Sequence, residues 1–247
     1  MIFSHPKLIE FLKNIKENYT VTSLNNWNGE NGIILRHDVD FDLNAAYELA
    51  KIEREIGVES TFYIMCSSQM YNPISQKNQD IIKKIDSEGF EIGLHFDPSI
   101  YEDVGIKSLE IEVKKEADIL SSIIKKPIHS ISIHNPSVHN QFPIFSNFKN
   151  AYDEKIFSDD TYISDSMMSF KTDIFDFIKK AKNKTIQVLL HPLYYTKNGI
   201  ELNEIINEFV DKYIEELDEY WKDNSHYNSI MNEKLLEYIL RKQTSKK

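Results

Sequence analysis

The residues best equipped for chemistry lie in Leu35-Arg36-His37-Asp38-Val39-Asp40-Phe41-Asp42, which closes a run of aliphatic residues. Side chains of an extended chain alternate with period two, so Arg36, Asp38 and Asp40 share one face if the strand persists through the motif. Two carboxylates on one rim repel each other unless a cation or a shared proton relieves them, which suits one metal ligand and one general base. The same residues also suit a plain turn, with Asp42 capping a following helix and Asp40 accepting from turn amides. In Gly93-Leu94-His95-Phe96-Asp97, His95 and Asp97 share parity with Gly93, whose missing side chain leaves room for a bulky neighbour. His95 is a natural imidazole ligand, and Asp97 is either a second ligand or an orienting partner. Ser130-Ile131-Ser132-Ile133-His134-Asn135-Pro136 and Val188-Leu189-Leu190-His191-Pro192 each deliver a histidine to a strand end and then stop at a proline. Any one such histidine reads as structural. Three of the chain's 8 histidines at separate strand ends, with His37 inside the acidic motif, point instead to a divalent metal site.

The elements that must position these residues alternate between β-branched runs and amphipathic stretches, the rhythm of βα units around a largely parallel sheet. Strands are expected at 20–24, 33–38, 60–65, 91–95, 128–133, 161–163 and 185–191. Helices are expected after Asp42 to a stop at Gly57, over 77–87, 106–124 and 173–181. In such a sheet catalytic side chains come from the C-terminal strand ends and the loops that follow them. The clearest period in the chain lies over 201–221, where Leu202, Ile205, Ile206, Phe209, Val210, Tyr213 and further apolar residues form one broad stripe. A stripe of that breadth predicts a helix packed on the body, and loss of solubility if it is removed.

With 39 acidic against 29 basic residues the net charge is −10 and no basic face is evident, which argues against nucleic acid as a partner. The single cysteine, Cys66, cannot form an internal disulfide, the N-terminal residues do not read as a signal peptide, and no stretch reads as a membrane span. Those features lead to an expected cytoplasmic location, and the absence of a Ser/Gly/Pro-rich linker to a single domain over 1–247, with a helical region over about 200–240 packed on its core.

The order of motifs resembles the polysaccharide deacetylase (NodB-homology) superfamily over about residues 33–192, through the acidic motif, Ser60-Thr61-Phe62-Tyr63-Ile64, Gly89-Phe90-Glu91-Ile92-Gly93-Leu94-His95 and Leu189-Leu190-His191. The His-Asp-Val-Asp form is similar to a branch associated with surface-polysaccharide biosynthesis. The resemblance implies an irregular, seven-stranded βα barrel, here with an added C-terminal amphipathic helix. It implies a divalent metal, zinc ahead of cobalt, nickel, iron or manganese, and removal of an acetyl or similar small acyl group from a sugar. By the same resemblance Asp38 is the general base, Asp40 a metal ligand, His95 a second ligand and His191 the general acid. Two departures stand out. The family's second metal histidine falls on Ser99, and its base-orienting arginine falls on His134. If His134 reaches inward it restores an Asp-plus-two-His site, with Asp97 as the rival third ligand. Arg36 is placed to neutralise Asp38 or Asp165, and Tyr63, Phe96, Tyr194 and Tyr195 are candidates to stack on a pyranose. The expected partner is an acylated sugar, as a polymer or as a nucleotide- or lipid-linked precursor. The competing reading is a carbohydrate-binding or regulatory member of the same fold with a degenerate site.

Overall fold

Alternating β-branched runs and amphipathic helices build a wholly parallel sheet. The computed structural model describes residues 3–101, 105–230 and 233–244, and the chain falls into two compact units, Met1–Gly199 and Ile200–Lys247. The first unit runs α1 (His5–Asn18), β1 (Val21–Thr22), β2 (Gly32–Val39), α2 (Leu43–Ile56), β3 (Thr61–Ile64), α3 (Gln76–Ser87), β4 (Glu91–Phe96) and α4 (Ile106–Ile124). It continues through β5 (Ser130–Ile133), α5 (Pro136–His139), β6 (Lys149–Asn150), β7 (Tyr162–Ser164), α6 (Ile174–Ile178) and β8 (Thr185–Leu190). The strands pair in the order β6-β5-β4-β3-β2-β8-β7, with β1 beside the start of β2. This is the expected βα barrel in curled, open form.

The path of pairing ends at β6 on one side and β7 on the other, and polar side chains bridge the gap. Gln187 on β8 donates from Nε2 to the carbonyl of Ala151 just after β6, at 2.8 Å, and Arg36 reaches the Tyr152 hydroxyl at 3.1 Å. Inside the barrel the Arg36 guanidinium also sits 5.6 Å from the Tyr63 ring centre and 5.7 Å from that of Tyr162. Gly93 is required by close approach: a Cβ there would stand 2.4 Å from the Tyr63 ring. The bulky neighbour expected beside this glycine is therefore Tyr63.

Local signals account for the strand-to-helix turns. Asp42 caps α2 by accepting from the Asn44 amide at 2.8 Å, and Gly57 ends that helix in the left-handed region at φ 78°. The sequence reading leaves α1 unassigned, although Leu8, Phe11, Leu12 and Ile15 recur at helical spacing and are all fully buried. It also leaves β6 unassigned, a strand of two residues. Since all strands run parallel, their C-terminal ends and following loops share one rim.

In the second unit α7 (Leu202–Trp221), α8 (Ser225–Ile230) and α9 (Leu235–Thr244) are joined through Asp218, whose carboxylate accepts from the Leu235 amide at 2.9 Å and the Tyr227 hydroxyl at 2.5 Å. Ile206, Val210, Tyr213, Tyr220 and Trp221 of α7 are exposed. Every residue of the first unit's hydrophobic core lies between Phe3 and Tyr195. A chain ending at Gly199 keeps that whole core and is expected to fold. Circular dichroism would show a cooperative melt; a truncated chain without one would return the C-terminal helices to a structural role. Among the described residues no helix is long and apolar enough to cross a membrane.

Candidate metal centre

Period-two alternation along β2 sorts its three polar residues. Arg36 and Asp38 face the barrel interior, whereas His37 turns to the layer between sheet and α2. There His37 Nε2 meets Glu53 Oε1 at 2.7 Å, and Ser60 donates to the other oxygen of Glu53 at 2.6 Å. His37 is thus a core histidine anchored at Nε2 by Glu53, with Nδ1 left without a partner. Asp40, one residue past the strand, lies with the interior set, and its backbone is strapped by the loop after β3. Tyr71 donates to the Val39 carbonyl at 2.7 Å while accepting from the Met65 amide, and Ser68 donates to the Asp40 carbonyl at 3.3 Å.

His95 at the end of β4 and His134 just past β5 converge on Asp40. Asp40 Oδ1 lies 3.1 Å from His95 Nε2 and 3.2 Å from His134 Nδ1, and the two ring nitrogens are 3.2 Å apart. Among the described residues these three form a group of potential ligands whose donor atoms all lie within 4.8 Å of one another. A triangle with such edges matches one face of a tetrahedron whose corners stand about 2.0–2.1 Å from its centre. Asp40 Oδ1 is buried yet has no hydrogen-bond partner of acceptable geometry. A lone pair left without a hydrogen, facing two imidazole nitrogens, fits a cation. Burial alone would raise the Asp40 carboxyl, but the two histidines crowding it hold it well below the usual carboxylate range.

Around this triangle stand two supported groups. Asp38 accepts at Oδ2 from Arg36 Nη2 and from the Ser132 hydroxyl, each at 3.2 Å, and leaves Oδ1 without a partner. The same Oδ2 lies 3.9 Å from His95 Nδ1. Asp165, fully buried after β7, accepts at Oδ2 from the His191 amide at 2.9 Å and from the Tyr195 hydroxyl at 3.0 Å, while its Oδ1 meets His191 Nδ1 at 2.5 Å. That pairing aims His191 Nε2 at Asp40, 3.8 Å from its Oδ2. Burial would lower the His191 imidazole, but the Asp165 carboxylate beside it wins and raises it to about 9, so the ring carries its proton at neutral pH.

Of the sequence candidates, Asp38, Asp40, His95, His134, Asp165 and His191 are brought together, and Arg36 pairs with Asp38, leaving Asp165 to His191. Asp97 is turned aside: its Oδ1 accepts from the Ser99 amide at 2.9 Å and hydroxyl at 2.6 Å, capping a short 3-10 turn, Pro98–Ile100. The aromatic expectation needs correction, because Tyr63 and Phe96 are fully buried and Tyr195 is 4% exposed. Tyr194 alone of the four is only partly buried, its ring centre 5.4 Å from that of His191. Ser132, Ser68 and Tyr71 were not singled out by the sequence, and Tyr195 only as a stacking candidate, not as a partner of Asp165. The parity of Ser132 with His134 was the available signal; the loop residues offered none.

No family model and no curated protein matches the sequence. Solved structures similar to the chain are CE4-family proteins. They include a CE4 family pseudoenzyme from Bacillus anthracis, with 13% identity and TM-score 0.44 over 74% of this chain and 62% of that one. Others are the peptidoglycan deacetylase PdaC from Bacillus subtilis, 14% identical, TM-score 0.44, over 78% of this chain and 98% of that one, and the chitin deacetylase from Colletotrichum lindemuthianum, 11% identical, TM-score 0.43, over 73% and 81%. The chain thus spans less than two thirds of the length of the first of these.

One further buried acid lies on α4, outside the triangle. Glu116 accepts from the Tyr101 hydroxyl at 2.7 Å, but its other oxygen has no partner, and burial raises its carboxyl to about 7. A folded-state value above the unfolded value means that the folded protein holds a proton the unfolded chain releases. The resulting stability is present below about pH 4.3 and is lost as pH rises through about 7. Between pH 5 and 8 the wild type should lose on the order of 3 kcal/mol from this group, while Glu116→Gln should not. Urea titrations at both pH values check this; parallel losses in the two proteins would remove Glu116 as the cause.

Proposed function

We propose that the chain is a metal-dependent hydrolase that removes an acetyl or similar small acyl group from an amino sugar, in surface-polysaccharide or nucleotide-sugar metabolism. The supporting observation is the triangle of Asp40 Oδ1, His95 Nε2 and His134 Nδ1 with the protonated His191 beside it. Asp40, His95 and His134 hold the cation in this reading, with His134 supplying the ligand that Ser99 does not. A divalent cation bound there would acidify a water molecule and polarise the acyl carbonyl. Asp38 takes the water's proton at its unpartnered Oδ1. Arg36 and Ser132 hold the other oxygen and so fix the direction from which that proton is taken. His191 gives its proton from Nε2 to the departing nitrogen, while Asp165 and Tyr195 keep the ring aimed. Arg36, reaching Asp38 from its own strand, fills the orienting role that position 134 gives up.

Acetate release from a panel of N-acetylated sugars and nucleotide sugars, with the divalent metal present and then chelated, tests this reading. His191→Ala should lower turnover by about 10²–10⁴ while leaving metal affinity within a few-fold of wild type. Metal loading without acyl release from any member of the panel would favour the carbohydrate-binding or regulatory reading instead.

A further inference from the structure

The barrel's exposed apolar side chains are not spread evenly. In the described part of residues 3–199 the large hydrophobics that are exposed are Phe41, Met70, Ile74, Ile100, Ile106, Ile111, Val138, Phe142, Ile144 and Met167. Six of these ten, Phe41, Met70, Ile74, Ile100, Val138 and Met167, lie in segments leaving the C-terminal ends of β2, β3, β4, β5 and β7. Five of the six are within four residues of a group that builds or braces the site, Asp40, Tyr71, His134 or Asp165, and Ile100 lies in the turn that Asp97 caps. The segments 23–31, 57–60, 88–90, 125–129 and 183–184, which enter β2, β3, β4, β5 and β8, supply none, whereas the connection from β5 to β6 carries Phe142 and Ile144 as well as Val138. Charge follows the same asymmetry. In a chain that is 28% charged, residues 65–75 and 135–148 hold no Lys, Arg, Asp or Glu.

A concentrated apolar surface marks something that covers it. Here its residues lie in the loops that leave the strand ends carrying the metal centre, so a protein seated permanently on them would stand over the site that substrate must reach. A bare polysaccharide fits poorly, because sugar rings are received by aromatic faces and the rim is mainly aliphatic and thioether. Methylene chains suit such a surface. We propose that the mouth of the site receives the lipid part of an amphiphilic substrate, an acylated amino sugar carried on a lipid, with the uncharged loops lying along the lipid and the acyl group reaching the triangle. This inference rests on the hydrolase reading above and narrows its substrate class.

The test is binding of methyl and octyl N-acetylglucosaminide to the metal-loaded full chain by calorimetry, below the micellar concentration of the octyl glycoside. The octyl compound should bind about 30-fold more tightly, which corresponds to burial of roughly a third of its added methylenes. In the variant Ile74→Ser/Ile100→Ser/Met167→Ser, whose parent side chains are 56%, 52% and 73% exposed, that ratio should fall toward one. Equal affinities in the wild type, or a ratio that survives in the variant, would overturn the proposal. If neither glycoside binds although metal loads, the proposal fails and the metal centre stands. A concentration-dependent dimer in sedimentation that the variant abolishes, with equal glycoside affinities, would instead assign the rim to a second copy of the chain.

Discussion

Replacing His134 with alanine is expected to weaken divalent-metal binding by at least about 100-fold, as much as His95→Ala does, because either change strips one of three converging donors; loss of a merely orienting partner typically costs 10–100-fold. Asp97→Ala should leave metal affinity within a few-fold of wild type, since its carboxylate is already engaged by the amide and hydroxyl of Ser99. Calorimetric titration of the three variants distinguishes the outcomes. Full metal retention in His134→Ala with loss in Asp97→Ala would hand the third position to Asp97. Ser99→His in the His134→Ala background adds a geometric check, because regained binding would place position 99 within reach of the metal.

Arg36→Met is expected to cause the largest loss of stability in the barrel. The guanidinium is fully buried, and the Asp38 carboxylate it neutralises is 3% exposed. Burial works against the charge on Arg36, but Asp38 and the facing phenols of Tyr152, Tyr162 and Tyr63 outweigh it and keep the guanidinium ionised. Removing one member of a buried ion pair strands the other and typically costs about 3–5 kcal/mol. For a domain of this size that corresponds to a fall of about 10 °C in melting temperature. The paired change Arg36→Met/Asp38→Asn removes the stranded charge and should recover part of the loss. A double variant no more stable than Arg36→Met would show that the single variant suffers from lost packing against the tyrosines and the β6–β7 gap, and not from the uncompensated carboxylate.

These two residues also illustrate what the sequence could and could not disclose. The succession of strands and helices along the chain and the strand-end histidines were legible because parallel βα units impose a repeating rhythm and put their chemistry at one end of each strand. Parity placed Arg36, Asp38 and Asp40 on one face correctly. The same parity separated His37, yet proximity to the acidic motif made it look like part of the site; only Glu53, sixteen residues on in α2, shows what it serves. The choice between Asp97 and His134 was closed to sequence. It depends on whether the chain after Phe96 turns at once into a 3-10 helix, which consumes the Asp97 side chain as a cap. The stacking aromatics were misjudged because Tyr63 and Phe96 end up wholly enclosed, one filling the space at Gly93 and the other packing on Phe145. Tyr71 and Ser68 were invisible, since a loop that braces a neighbouring strand end through hydroxyl-to-carbonyl bonds carries no periodicity to read.

Anomalous diffraction from crystals of the zinc-loaded protein tests the central claim most directly. The account predicts one ion per chain bonded at about 2.0–2.2 Å to Asp40 Oδ1, His95 Nε2 and His134 Nδ1, with His191 and Asp38 beside it and not coordinated. An ion held by Asp97, or crystals soaked at saturating zinc with no anomalous peak at the triangle, would contradict it.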